Sequence, residues 1–365
     1  MRHTPSGRPR ARGIGIPFEG EPGPLNAITD VGDVEVGYRT IVRGDGPLVV
    51  GEGPVRTGVT AILPRGRERA DQGVFAQMFS LNGNGELTGS HWAREVGRCD
   101  GPITVTNTHS CGVARDATIK WLARRFQTDD PWWSLPVAGE TYDGWLNDIN
   151  GFHVTDGDVF AALDGARGGA IEEGSVGGGT GMICYGFKGG SGTASRKVEF
   201  AGETHVVGAF VQANFGVREQ LVIAGVPVGR ALKSWRPDAR GGGETGSVIA
   251  ILATDAPLLP HQLGRLARRV SLGIGRGGAM SGHGSGDIFL AFSTANGEAL
   301  AAESDALARA SFIPDAALNP FFAATVQSVD EAVINALVAN ETMVGINGRA
   351  VDALPHDEVR ALLRL

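Results

Sequence analysis

The sequence predicts one large layered domain of mixed strands and helices, α/β or α+β in class, and three observations predict it. The chain has 365 residues, 42% hydrophobic and 20% charged, which is enough material for a sizeable core. Short, largely β-branched runs bounded by turn residues stand beside segments with helical spacing. The two kinds do not alternate as regular βαβ units, so a simple doubly wound parallel sheet is not expected.

Residues 1–24, rich in Arg, Gly and Pro, read as a loosely held lead-in. Strands are expected at Val34–Tyr38, Leu48–Val50 and Val59–Leu63, the last stopped by Pro64. Val113, Ala117, Trp121 and Leu122 fall on one helical face, with Arg124 and Arg125 at the end that the helix dipole favours. Thr155 followed by Asp158 caps a helix carrying Val159, Phe160 and Leu163. His205–Gln212 reads as a buried strand ending at Asn214. After the glycine-rich stretch 241–243, Ser247–Ala253 is an apolar run of strand length. Leu259, Leu263, Leu266, Ala267 and Val270 then mark an amphipathic helix. Ile288–Phe292 follows a glycine turn as a further strand, and helices are expected at Glu331–Ala339 and His356–Leu365.

Composition excludes several classes of function. Net charge is −7 and the basic residues are scattered, apart from Arg2 to Arg12, which argues against nucleic acid as a partner. The three cysteines, Cys99, Cys111 and Cys184, lie far apart, so neither a disulfide framework nor a cysteine zinc site is indicated, and a cytoplasmic location is expected. No apolar stretch of signal-peptide length follows the N-terminal arginines and no uninterrupted apolar run reaches membrane-spanning length, so a soluble protein without a membrane partner is expected. The eight histidines show no H-x-x-x-H spacing, and no metal is expected. Glycine, at 56 residues, is roughly twice its usual share of about 7%. Of its clusters, Gly177-Gly178-Gly179-Thr180-Gly181 lacks the G-x-x-x-x-G-K-[ST] spacing of a phosphate loop, and Lys188 is misplaced for one. No cofactor is expected.

Gly246-Ser247 sets a hydroxyl directly behind a glycine and directly before a buried strand. The glycine would permit positive φ or other strained geometry, helping the serine oxygen reach its own preceding carbonyl. Taken alone, such a step is more often a plain turn. If the bond breaks, Ser247 gains a free α-amine with a pKa of about 7.7–8.0, a general base beside its own hydroxyl. Ser285 and Asp287 stand at i and i+2 before a strand, where two polar side chains share a face and can orient an amine or relay its proton. Asn214 and Tyr142 can donate to an oxyanion, although Asn also commonly ends strands and Tyr is commonly half buried. Glu140 lies near Trp132, Trp133 and Trp145 and could recognise a substrate ammonium or simply be solvated. His283, close to Ser285, is as readily an exposed turn residue as a catalytic one.

Together these segments resemble the DmpA-type self-processing aminopeptidases, the L-aminopeptidase/D-esterase group that also contains β-peptidyl aminopeptidases. The matching stretches run in family order: Gly23 to Val31, Val55 to Ala61, Glu140 to Gly144, Asn147 to Gly151, Gly177 to Met182, Gly246-Ser247 and Gly284 to Asp287. The resemblance implies an αββα four-layer sandwich, like an N-terminal-nucleophile hydrolase but with its own topology. It implies a single domain, 1–365, cut between Gly246 and Ser247 into an α chain, 1–246, and a β chain, 247–365. By position Ser247 matches the nucleophile, Ser285 and Asp287 the supporting pair, Asn214 and Tyr142 the oxyanion contacts, and Glu140 the carboxylate holding the substrate's amino group. Some members carry Glu where this chain has Asp287, which is one methylene shorter.

The function this implies is hydrolysis of short peptides, amides or esters with a free amino terminus, by a homo-oligomer of αβ units. Two alternatives stand beside it. An acyltransferase of similar architecture, like the ornithine acetyltransferases, would use threonine where this chain has Ser247. A non-catalytic glycine-loop ligand-binding protein would never process at all.

Overall fold

The computed structural model describes residues 1–126, 133–232, 246–301 and 305–365. Trp132 and the glycine-rich stretch 241–243 lie outside the described residues. In chain order the strands are β1 (Glu35–Arg43), β2 (Val55–Leu63), β3 (Gly73–Gly83), β4 (Arg98–Asp100), β5 (Ile103–Asn107), β6 (Val137–Thr141), β7 (Ile183–Cys184), β8 (Phe187–Lys188), β9 (Gly190–Phe200), β10 (Glu203–Asn214), β11 (Ser247–Thr254) and β12 (Gly286–Ser293). The helices are α1 (Ser90–Val96), α2 (Cys111–Arg125), α3 (Asp156–Asp164), α4 (Val228–Ala231), α5 (Pro260–Arg276), α6 (Gly297–Leu300), α7 (Asn319–Val338) and α8 (His356–Leu363).

Two sheets face each other. One has four strands in the order β1-β2-β5-β6, and the other has six in the order β4-β3-β12-β11-β10-β9. Alternate residues of β11 show how the layers form: Ile249, Ile251 and Ala253 enter the core between the sheets, whereas Val248, Ala250 and Leu252 face α5 and α7. A third core, with Val59, Ala61 and Leu63 on one side and Ala114, Trp121 and Val159 on the other, seats α2 and α3 on the four-stranded sheet. Helix, sheet, sheet, helix: this is the αββα sandwich.

The capped helix behaves as its sequence dictates, since Asp158 accepts from both the Thr155 backbone N–H (3.0 Å) and its hydroxyl (2.7 Å). Three expectations are corrected. Residues 1–24 are not loosely held, because Arg10 is buried and its guanidinium binds Glu173 (2.5 Å) and the carbonyls of Leu25, Asn26 and Thr193. Leu48–Val50 is no strand; glycines at 44, 46, 51 and 53 keep it turning, and its side chains are exposed. The helix expected at Glu331–Ala339 begins at Asn319, with Pro320 in its first turn. That helix, α7, has the length and apolarity of a membrane span, yet it is mostly buried, packed on β9, β10 and α5.

Candidate active site

Ser247 is the first residue of β11, between β10 and β12 in the middle of the larger sheet. Antiparallel pairing sets it opposite Asn214, and parallel pairing opposite Gly286. Register therefore collects what sequence separates: Asn214 ends β10, while Ser285 and Asp287 flank Gly286 at the start of β12. Ser247 is buried, 6% exposed, but opens on a cavity of about 580 Å³.

The Ser285 hydroxyl donates to Asp287 Oδ1 at 2.7 Å, and both side chains are fully buried. The bond orients the serine and leaves its oxygen able to accept a proton donor. Asn214 is held at both ends: its Nδ2 donates to the Tyr142 carbonyl (2.9 Å) and its Oδ1 accepts from the Ile183 N–H (2.8 Å). Because the amide carries two N–H bonds, one remains for another acceptor. Tyr142 is half exposed and lines the cavity.

The Gly286 N–H was not singled out by sequence. It donates to the Gly246 carbonyl (3.2 Å) and to Ser247 Oγ (3.3 Å), so one amide proton faces both the carbonyl at the cut site and the oxygen that would attack it. The Gly284-Ser285-Gly286-Asp287 pattern pointed to side chains; the glycine between them supplies the backbone donor. A Cβ on Gly286 would fall 2.1 Å from the Asn84 carbonyl. Gly246 is likewise needed for space. A Cβ there would lie 2.1 Å from the Asn214 carbonyl oxygen.

Glu140 sits on β6 of the opposite sheet and is 3% exposed, with its carboxylate on the cavity. Its Oε1 accepts from the Glu86 backbone N–H at 2.9 Å. Burial pushes its carboxyl above the ordinary value; bonds from Thr108 and the Glu86 backbone pull down, and the nearby Glu86 charge pushes up. The expected tryptophan surround is absent from the described wall. Trp133 packs edge-on against Trp92 (5.7 Å) and Trp145 lies under Arg349, while Gly83, Asn84, Gly85 and Glu86 form the wall instead. His283 is exposed. The loop after Glu140 is braced by Asp143, whose Oδ1 accepts from Asn147 (3.0 Å) in a pocket it shares with Thr57 and Asn107. Burial pushes the Asp143 carboxyl up to about 7.

The triple glycine holds no phosphate cradle. The Gly177 N–H donates to Thr40 Oγ1 (2.8 Å), that of Gly178 to Thr60 Oγ1 (3.1 Å) and that of Gly179 to the Val176 carbonyl (3.0 Å), so these amides are spent inside the protein.

A serine leading the central strand of two facing sheets, with polar groups gathered at that strand end, defines a hydrolase of the N-terminal-nucleophile architecture. Residues 26–351 match Peptidase family S58, and the chain belongs to that family. It is a serine aminopeptidase. The chain is 49% identical over 371 residues to "Beta-peptidyl aminopeptidase BapA" of Sphingosinicella microcystinivorans, covering 98% of this chain and 92% of that protein. It superposes at a TM-score of 0.90 on the L-aminopeptidase D-Ala-esterase/amidase of Ochrobactrum anthropi, a variant of the Ntn hydrolase fold, with 49% identity and 98% of each chain covered. The PH0078 protein of Pyrococcus horikoshii OT3 gives the same TM-score at 41% identity, covering 97% of this chain and 98% of that one.

Proposed function

We propose that the chain cuts itself between Gly246 and Ser247 and then, as associated chains 1–246 and 247–365, removes amino-terminal residues from short peptides, amides or esters. The observation carrying this reading is the Gly286 N–H shared between the Gly246 carbonyl and Ser247 Oγ. In the first stage Ser247 Oγ adds to the Gly246 carbonyl carbon while the Gly286 N–H stabilises the developing oxyanion. The peptide nitrogen leaves as the Ser247 amine, giving an ester that water hydrolyses to the Gly246 carboxylate and the free Ser247 hydroxyl.

In the second stage Glu140 receives the substrate's ammonium. The Ser247 amine takes the proton from Oγ, which attacks the substrate's first carbonyl. Asn214, Tyr142 and the Gly286 N–H meet the oxyanion, and the Ser285–Asp287 pair orients the amine. Water then releases the acyl group. The acyltransferases of similar architecture carry threonine as nucleophile, and Ser247 speaks against that alternative.

The proposal extends to a cytoplasmic homo-oligomer. Three buried cysteines suit a reducing compartment, and the exposed side chains of Val42, Val49, Val50 and Val344 offer apolar surface for assembly. Light scattering of the purified protein measures the subunit number. The deciding experiment is the intact mass of wild type and Ser247→Ala, with N-terminal sequencing of the smaller fragment. Wild type is expected as fragments of 246 and 119 residues (365 − 246 = 119), the smaller beginning at Ser247, and the variant as one chain. An uncut wild type with full turnover overturns the reading.

A further inference from the structure

The cavity in front of Ser247 carries two carboxylates, and only Glu140 has been given work. Glu86 lines the same cavity, on the loop between β3 and α1. Its backbone N–H is fixed on Glu140 Oε1 (2.9 Å), and Gly85 beside it packs toward Gly286, a Cβ there lying 3.5 Å from Gly286 Cα. Glu86 is thus anchored between β6, which carries Glu140, and the start of β12, the strand paired with the nucleophile's, with its own side chain exposed. The two charges interact, since that of Glu86 acts against ionisation of Glu140. Among the described residues no Lys or Arg lines the cavity, and no ion pair engages either carboxylate.

Two like charges at one cavity, with the exposed His109 as nearby counter-charge but no Lys or Arg in the described lining, store a repulsion that a bound cation relieves. The group that must arrive there is a primary ammonium, a compact charge with three N–H donors. Resting on the function proposed above, we propose that Glu86 is a second ammonium-binding residue: the substrate's amino terminus is held between the Glu86 and Glu140 carboxylates. One carboxylate is buried and fixed, the other exposed and able to close over the ammonium after it enters. The arrangement makes a charged amine a condition of binding, so amino-acylated or deaminated substrates are excluded at the binding step rather than by chemistry.

The test uses the processed enzyme with alanyl and lysyl anilides, comparing wild type, Glu86→Gln, Glu86→Asp and Glu140→Gln. Formation of the two fragments reports that each variant folds. Glu86→Gln keeps the backbone tie and is expected to raise KM about tenfold for both substrates with kcat nearly preserved, as loss of one charge-assisted contact requires. Glu86→Asp is expected to recover part of the loss. The pH below which KM climbs should also fall in Glu86→Gln, because Glu140 then loses a neighbouring negative charge. Unchanged KM in Glu86→Gln overturns the proposal if Glu140→Gln still raises it, and so does a loss confined to the lysyl substrate, which would mean that Glu86 reads a side chain. If neither variant changes KM, the ammonium reading of the cavity itself fails.

Discussion

Two polar clusters of this molecule are built on opposite plans. Beneath the N-terminal segment, Glu331 accepts from Arg196 (2.7 Å), Arg12 (2.7 Å) and Asn26 (2.6 Å), and Glu173 from Arg10. Both of these glutamates face a guanidinium. At the head of β11, Glu140 and Glu86 line a cavity with no Lys or Arg among its described residues, and His109 is the nearby charge that favours Glu140 ionisation. Paired charges lock a chain segment to a sheet; unpaired charges wait for a ligand. The pKa directions follow this division only at Glu331: against burial, the bond from Arg12 and the charge of Arg196 hold it below its ordinary value, whereas burial lifts Glu140 and, despite Arg10, Glu173 above theirs.

The sharpest break between the two clusters is Ser247→Ala, expected to abolish processing and cut turnover by at least about 10³-fold while the fold survives, measured by aminopeptidase assay and circular dichroism. Glu331→Gln should do the reverse. It leaves Arg196 and Arg12 without their counter-ion, costing roughly 3–5 kcal/mol in a denaturant titration, with activity per folded molecule retained. Equal loss of activity and stability in both variants would erase the distinction.

Smaller effects sharpen it. Glu140→Gln is expected to raise KM by about 10–100-fold with a lesser change in kcat. Because burial raises the Glu140 pKa, wild-type KM should begin climbing on acidification at a higher pH than for an exposed glutamate. Asp143 tests stability alone. Its folded pKa of about 7 lies above the unfolded value of about 3.9, so the folded state binds the extra proton and wild-type stability declines as pH rises between those values. Asp143→Asn should remove that part of the slope in unfolding curves taken from about pH 4 to 7, and an unchanged slope would show that Asp143 does not carry the proton.

Most of the nucleophile strand's surroundings were legible. Val248 to Ala253, the helix after it and the strand Ile288–Phe292 have apolar periods that local reading detects, and the polar residues at their ends were readable as chemistry. The strands β3, β5, β6 and β9 were not anticipated. In β9 the reason is plain: Ser191, Thr193, Ser195 and Arg196 are buried, but their polar groups bond to Val176, Ala209, Asp30 and Glu331, so the strand carries no hydrophobic alternation to find. The N-terminal segment was misread for the same cause. Arg10 looks like a solvated arginine until Glu173, 163 residues away, is folded against it.

By itself the sequence determined which residues could react: a serine behind a glycine, a Ser-Gly-Asp turn, an asparagine at a strand end and a glutamate among apolar neighbours. These depend on side-chain chemistry and spacing along a strand, which are local properties. Only the tertiary structure decided that the Gly286 N–H bridges the Gly246 carbonyl and Ser247, that Gly246 allows a close approach to the Asn214 carbonyl, and that Glu86 stands beside Glu140. Backbone donors have no residue type to betray them. Cross-strand register brings Asn214 and Gly286 beside Ser247, and the facing of the two sheets sets Glu86 and Glu140 on the cavity that Ser247 lines; neither is set by any segment alone.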